Sequence, residues 1–173
     1  MNQQVLDRVS ASVKGFRLPR YDQLPGMGLY LEQVAVYLSD CLSCLSGLSI
    51  TGSMISNYVK KGLVSNPVKK QYSREQIAYL MYIAVAKMVL SMEDIHLSVA
   101  VQQQSYTPQR AYDYFCCELE NVLEYVFGLK DQLDTVGVDA TAEKVMLRNT
   151  IITVAHKVYL NALFEELHKE QEG

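Results

Sequence analysis

The sequence predicts an all-α protein, and three observations carry that prediction. Apolar residues recur every three or four positions along most of the 173 residues. Ser or Thr precedes several of these runs, as an N-cap precedes a helix. No segment alternates apolar and polar residues as a half-buried strand does. The composition, with 49% hydrophobic and 20% charged residues, is that of a globular protein and excludes a wholly disordered chain.

The first part of the chain is predicted to hold five helices separated by turns. Prolines and glycines in residues 14–27 indicate an irregular connector, and Gly47 indicates a turn over 46–51. Ser73 and Gln76 have the spacing of a capping box. The predicted helices are 2–13, 29–45, 52–61, 74–89 and 92–103.

Two longer helices are predicted in the last third of the chain, where they form an antiparallel hairpin. Thr107 and Pro108 match an N-cap followed by a proline at the first helical position, and this helix is expected to fray near Leu133. Gly137 breaks the chain, and Thr141 begins the final helix with its wide apolar stripe.

We place a boundary at residues 102–107, between the front helices and the rear hairpin. The N-terminal lobe then spans residues 1–103, with its core in 29–103. The hairpin, residues 107–173, is predicted either to dimerise the protein or to receive a signal. The 12 tyrosines favour core and subunit contacts, and a small-molecule pocket between the lobes is the alternative.

Charge is unevenly distributed along the chain, although the net value is only −3. Residues 1–111 carry 11 Lys and Arg against 7 Asp and Glu, whereas residues 112–173 carry 5 against 12. Within the first part, residues 41–74 contain five cations and no Asp or Glu. This asymmetry indicates that one lobe meets a polyanion, while the net charge excludes a generally basic nucleic-acid coat protein.

The acid-free window contains a short helix with a polar outer side. In helix 52–61 the apolar residues face inward, and small hydroxyl, amide and ammonium groups recur on the opposite side. Such a helix, preceded by another helix and a tight turn, suits insertion into the major groove of DNA. The Asn57 amide is suited to form two hydrogen bonds with the edge of adenine, and the cations are suited to contact backbone phosphates. The residues predicted to contact DNA are Ser53, Ser56, Asn57, Tyr58, Lys60, Lys61, Lys69, Lys70, Tyr72 and Arg74.

Residues 51–95 resemble the DNA-binding domain of MerR-type transcriptional regulators. The resemblance rests on an aromatic and basic helix end, a Gly–Leu stop, a proline turn, and two further helix starts at 72–74 and 91–95. It implies binding of double-stranded DNA by a helix-turn-helix, with Tyr58 contacting the backbone or packing. The chain departs from the pattern at residues 56–57, where an arginine and an aromatic are missing, and at 65–71, where the wing is short.

The chain resembles more closely a bacterial family of uncharacterised proteins described as a domain of unknown function with a helix-turn-helix. The matching segments are Leu24 with Pro25, residues 29–34 and residues 51–95, and the last helix also looks like the end of that family. The resemblance implies no catalytic residue, cofactor or effector.

Three hypotheses on function follow. The first is a DNA-binding transcriptional regulator, expected to act as a homodimer on a two-fold operator, with a small-molecule effector left open. The second is a helix-turn-helix module that binds a protein partner and no DNA; the short wing, the missing arginine and the net negative charge favour it. Exposed apolar residues on helix 52–61 would support this second hypothesis. The third is a ligand-binding helical bundle.

No catalytic, cofactor or metal site is predicted. Cys41 and Cys44 have the spacing of half a zinc or redox site, but both are interpreted as buried apolar side chains. Glu120 and Glu124 lie four residues apart and are interpreted as a solvated helix side. The common nucleotide-binding, zinc-protease and serine-hydrolase motifs are missing, so an enzyme is not expected. Without an export signal or a membrane-spanning apolar run, a cytoplasmic location is expected.

Overall fold

The computed structural model describes residues 2–137 and 140–172, with Glu172 described by its backbone alone. It confirms the all-α class. The described residues also include a short 3-10 turn and a two-stranded antiparallel sheet. The α-helices are α1 (Gln3–Ser12), α2 (Leu31–Cys41), α3 (Gly52–Lys60), α4 (Arg74–Ala86), α5 (Met92–Ser105), α6 (Pro108–Val126) and α7 (Ala142–Glu172). The strands are β1 (Leu29–Tyr30) and β2 (Gln71–Tyr72). No described helix combines the length and the apolar character needed to cross a membrane.

Two helix starts lie where the sequence predicts them. The Ser73 hydroxyl accepts a hydrogen bond from the Gln76 backbone nitrogen at 3.3 Å, and Gln76 Oε1 accepts one from the Ser73 nitrogen at 2.8 Å. Thr107 caps α6 in the same way by accepting from the Arg110 nitrogen at 3.3 Å, and Pro108 takes the first helical position. These contacts satisfy backbone donors that the first helical turn leaves without a partner.

Three helices end earlier than their apolar periodicity predicts: α2 at Cys41, α4 at Ala86 and α6 at Val126. The predicted helix 29–45 ends at Cys41 with Leu42 as its C-cap. The turn that follows includes Gly47, whose φ is +80° and where an added Cβ would lie 2.0 Å from Asn161 Nδ2 of α7. α6 stops short of Leu133 because the chain turns at Gly128, whose φ is +70°. The strands β1 and β2 were not predicted, since two residues are too few for an alternation to appear.

The hydrophobic core is continuous across the predicted boundary at residues 102–107. One cluster of buried side chains extends from Val5 in α1 to Ala162 in α7. α1 packs against α7, and α4 packs against both α6 and α7. Arg8 adds an ion pair between α1 and α7, with its Nε 2.6 Å from Glu166 Oε2. The helices on both sides of the boundary therefore share one core, while the role of the rear hairpin stays a prediction.

Glu120 is buried, and its assignment to a solvated helix side is wrong. One carboxylate oxygen accepts from the Leu18 backbone nitrogen at 2.9 Å and from Arg20 Nη1 at 2.7 Å, and the other accepts from Arg20 Nη2 at 2.8 Å. This bidentate pair fixes the connector before β1 against α6. Glu118, one residue before Leu119 in α6, is also buried and pairs with Arg148 of α7.

Candidate nucleic-acid interface

α3 has one side in the core and one side in solvent. Thr51 caps the helix by accepting a hydrogen bond from the Met54 nitrogen at 3.2 Å. Ile55 and Tyr58 are buried, and the helix packs against α2. The exposed side is wholly polar and consists of Ser53, Ser56, Asn57 and Lys60. The helix therefore holds two hydroxyls, an amide and an ammonium group toward solvent.

The chain after α3 forms a tight hairpin that carries two lysines at its tip. Val68 and Gln71 exchange both backbone hydrogen bonds, with N–O distances of 3.1 and 2.9 Å. Lys69 and Lys70 lie between them with φ of +50° and +66°. This is the left-handed conformation of a type I′ turn, which favours Asn and Gly because it strains other side chains. The hairpin thus holds two cations in a conformation that costs backbone free energy.

The structure corrects two of the predicted DNA contacts, because Tyr58 and Tyr72 are packing residues. Their side chains are 2% and 4% exposed. Tyr58 follows Ile55 by almost one helical turn and so faces the core, and Tyr72 lies in β2 opposite Leu29. Burial raises the pKa of both hydroxyls. The inward spacing of Tyr58 was visible in the sequence, whereas the pairing that covers Tyr72 was not.

Arg74 lies near the predicted surface but is held by the connector. Its Nε donates a hydrogen bond to the Leu24 carbonyl at 3.2 Å, and its guanidinium lies over the Tyr21 ring at 5.9 Å. Its Nη1 is also 3.9 Å from Asp22 Oδ1. Arg74 therefore braces α4 against the connector, and we do not count it among the cations available to a phosphate.

Four exposed lysines lie at the end of α3 and at the hairpin tip that follows it in the chain. Across residues 2–137 and 140–172, none of Lys60, Lys61, Lys69 and Lys70 forms an ion pair with a carboxylate. We call these lysines together with Ser53, Ser56 and Asn57 the basic face. Its cations are free to interact with an anion from outside the molecule.

One carboxylate that is distant in the sequence lies at the edge of the basic face. Glu32 of α2 approaches the first residue of α3, since a Cβ added to Gly52 would lie 2.7 Å from Glu32 Oε1. A carboxylate there interacts favourably with the helix dipole but repels phosphate. The positive part of the basic face is therefore the C-terminal end of α3 with the hairpin tip, and the sequence window alone did not reveal this.

The two cysteines with a Cys-x-x-Cys spacing are half-buried on α2 and the following turn. Burial raises the pKa of the Cys41 and Cys44 thiols, which is opposite to the shift of a reactive or metal-binding thiolate. In the part of the chain that the structure describes, no three His, Cys, Asp or Glu residues are grouped to hold a metal ion.

The comparisons with known proteins concern the part of the chain that contains the basic face. Residues 19–115 match the family described as domain of unknown function DUF1836. This segment includes α2, α3, the hairpin, α4, α5 and the start of α6, and it is more than half of the 173 residues. No curated protein and no solved structure matches the chain. The chain belongs to the DUF1836 family.

Proposed function

We propose that the protein is a transcriptional regulator that binds double-stranded DNA through the basic face. The observation that carries the proposal is the grouping of four lysines within residues 60–70, all of them exposed and none of them paired within the described residues. Two of them also occupy strained positions at the hairpin tip. Strained backbone kept at one surface is typical of functional sites.

The chemistry of α3 fits the major groove. Asn57 offers the donor and acceptor pair that matches the edge of adenine, and the hydroxyls of Ser53 and Ser56 can donate hydrogen bonds to bases or accept them. Lys60 and Lys61 at the end of α3, with the two hairpin lysines, then contact phosphates beside the groove. Glu32 keeps the start of α3 away from the backbone because its charge repels phosphate.

The exposed side of α3 also favours DNA over a protein partner. A cluster of exposed apolar residues there would support the partner hypothesis, but each exposed residue of α3 is polar. One short helix reads only a few base pairs, so we propose that two copies bind a two-fold repeated site.

The test is selection of duplexes from a random-sequence pool by the full chain, followed by titration of the selected duplex at several salt concentrations. A double variant, Lys60→Gln with Lys69→Gln, removes two phosphate contacts. We expect the slope of log affinity against log salt to fall in magnitude by about 2. Asn57→Ala should lower the affinity for the selected duplex more than the affinity for an unrelated duplex, because it removes a base contact.

The matched control is Lys14→Gln with Lys157→Gln, which changes the net charge equally at two exposed lysines outside the basic face. This control should keep most of the affinity and the full slope. Equal losses in the two double variants would assign binding to net charge and overturn the proposal. Failure of the chain to enrich any duplex at low salt would overturn it as well.

A further inference from the structure

A cavity of about 220 Å³ lies between α4, α5, α6 and α7, on residues other than those of the basic face. An engineered cavity of about 150 Å³ is large enough for benzene. Pockets for drug-sized ligands begin near 300 Å³. The size of this cavity therefore fits a compound larger than one aromatic ring and smaller than most drugs.

Aromatic side chains form the wall of the cavity. The rings of Tyr82 and Phe115 meet edge to face at 5.5 Å between centroids, and Tyr112 lies 6.1 Å from Phe115. Such rings offer both edges and faces to a planar aromatic guest. The polar groups in the wall are already partnered: Ser98 Oγ donates to the Ile95 carbonyl at 2.8 Å, so the Tyr82 hydroxyl donates to Ser98 Oγ at 2.9 Å. The inner wall therefore favours an apolar aromatic body.

The charged residues that line the cavity are two cations and one carboxylate. Glu143 accepts a hydrogen bond from Ser105 Oγ at 2.7 Å. Lys144 lies over the Tyr114 ring with its Nζ 5.0 Å from the centroid. Arg110 stacks over the Tyr106 ring at 5.4 Å and, among the described residues, forms no ion pair with a carboxylate. At the rim, the exposed Arg110 guanidinium is available to a ligand.

We propose that this cavity binds a small planar aromatic compound that carries a carboxylate. The aromatic body occupies the space beside Tyr82 and Phe115, and the carboxylate accepts hydrogen bonds from the Arg110 guanidinium at the rim. A guanidinium presents two parallel donors that match the two oxygens of a carboxylate. The proposal uses no residue of the basic face, so it stands or falls separately from DNA binding.

The experiment compares two probes, 2-naphthoate and its neutral analogue 2-naphthalenemethanol, by titration of the full chain monitored by NMR. Both should bind at about 1 mM or below. Arg110→Gln should lower the affinity for 2-naphthoate about tenfold and leave the affinity for the neutral probe unchanged, because only the anion loses a hydrogen bond between charged groups. Lys157→Gln, a loss of the same charge at an exposed residue outside the cavity, should change neither probe.

Two further measurements place the probe in the cavity. Ala111 lines the cavity, and Ala111→Phe should block both probes while the protein keeps its cooperative thermal unfolding. In the unmodified chain, nuclear Overhauser effects should connect the naphthalene protons with the Phe115 ring, which needs no variant to fold. Absence of binding by both probes, absence of these effects, or an equal loss of both probes in Arg110→Gln would overturn the proposal.

Discussion

The cations of the basic face differ in their contacts from the cations that hold the fold together. Arg8, Arg17, Arg20, Arg148 and Lys130 each form an ion pair with a carboxylate of another part of the fold or of the same turn. The four lysines of the basic face form none within the described residues. Lys14, Arg110 and Lys157 form none either, but they lie far apart in the chain, whereas the four lysines are grouped within residues 60–70. The paired cations hold helices and connector together, whereas the basic face adds no such contact. This difference distinguishes positive charge that stabilises the fold from positive charge that is available to a partner.

The two regions also differ in the kind of free-energy cost that they carry. Arg148 lies against Glu118, which is fully buried and whose second carboxylate oxygen has no hydrogen-bond partner in the described part of the chain. There the cost is desolvation of charge, which the pairing offsets. At the hairpin tip the cost is the left-handed backbone of Lys69 and Lys70. Variants in the core and in the basic face test how far the stability of the fold and the basic face are separate.

The largest effect is expected for Arg148→Met, which leaves the Glu118 carboxylate buried without its partner. The free energy of unfolding should fall by about 3–5 kcal/mol, measured by urea denaturation, because an unpaired buried charge is strongly destabilising. Lys60→Met in the basic face should change it by less than about 0.5 kcal/mol. The double variant Glu118→Leu with Arg148→Met should recover most of the free energy of unfolding that Arg148→Met loses, because no unpaired charge is then buried. Equal effects of Arg148→Met and Lys60→Met would contradict the comparison.

A smaller effect is expected from the core thiol Cys116 at alkaline pH. Burial raises its pKa from 9.0 to about 12, so the folded chain keeps a proton that the unfolded chain releases between these values. Stability present below pH 9 is therefore lost as the pH rises toward 12, by about 1.4 kcal/mol per pH unit for this group. When the free energy of unfolding is measured by urea denaturation at pH 9 to 11, its slope against pH should be shallower in Cys116→Ala, by the equivalent of about one proton. Ser56→Ala in the basic face should leave the slope unchanged, and an unchanged slope in Cys116→Ala would refute the assignment.

The smallest effect is expected for the double variant Lys69→Asn with Lys70→Gly, which puts a relaxed type I′ pair at the hairpin tip. The free energy of unfolding should rise by about 1 kcal/mol, since Asn and Gly adopt positive φ more readily than lysine. The same variant should weaken DNA binding and lower its salt slope by about 2. A gain in stability with unchanged DNA binding would show that the hairpin lysines contact no phosphate.

Local patterns were sufficient for the helix starts and for the orientation of α3. A cap depends on residues three positions apart, so Ser73 with Gln76 was recognisable in the sequence and is confirmed in both directions. The helix ends were harder to predict. Apolar residues continue past both α2 and α6 because the turns that follow are also buried, as Leu42, Leu45 and Phe127 show. Periodicity reports burial, and it does not distinguish a buried turn from a helix.

Only those features of the candidate site that depend on nearby residues in the sequence could be predicted. The exposed positions of Ser53, Ser56, Asn57 and Lys60 follow from helical spacing. The strained turn of the hairpin lysines did not, because Lys–Lys is not a sequence signal for a type I′ turn. The approach of Glu32 to the start of α3 was also hidden, since the two residues lie in different helices.

The all-α class, the capped helix starts and the acid-free stretch that became the basic face are predictable from the sequence, because they depend on neighbours within a few residues. Which charges are paired within the fold depends on tertiary contacts. Glu120 was interpreted as solvated because its partner Arg20 lies 100 residues earlier in the chain. Arg74 was interpreted as a free cation because Tyr21 and Leu24 reach it only when the connector folds back on α4. Whether these charged side chains are free or paired depends on residues that are distant in the sequence and come into contact only in the folded protein.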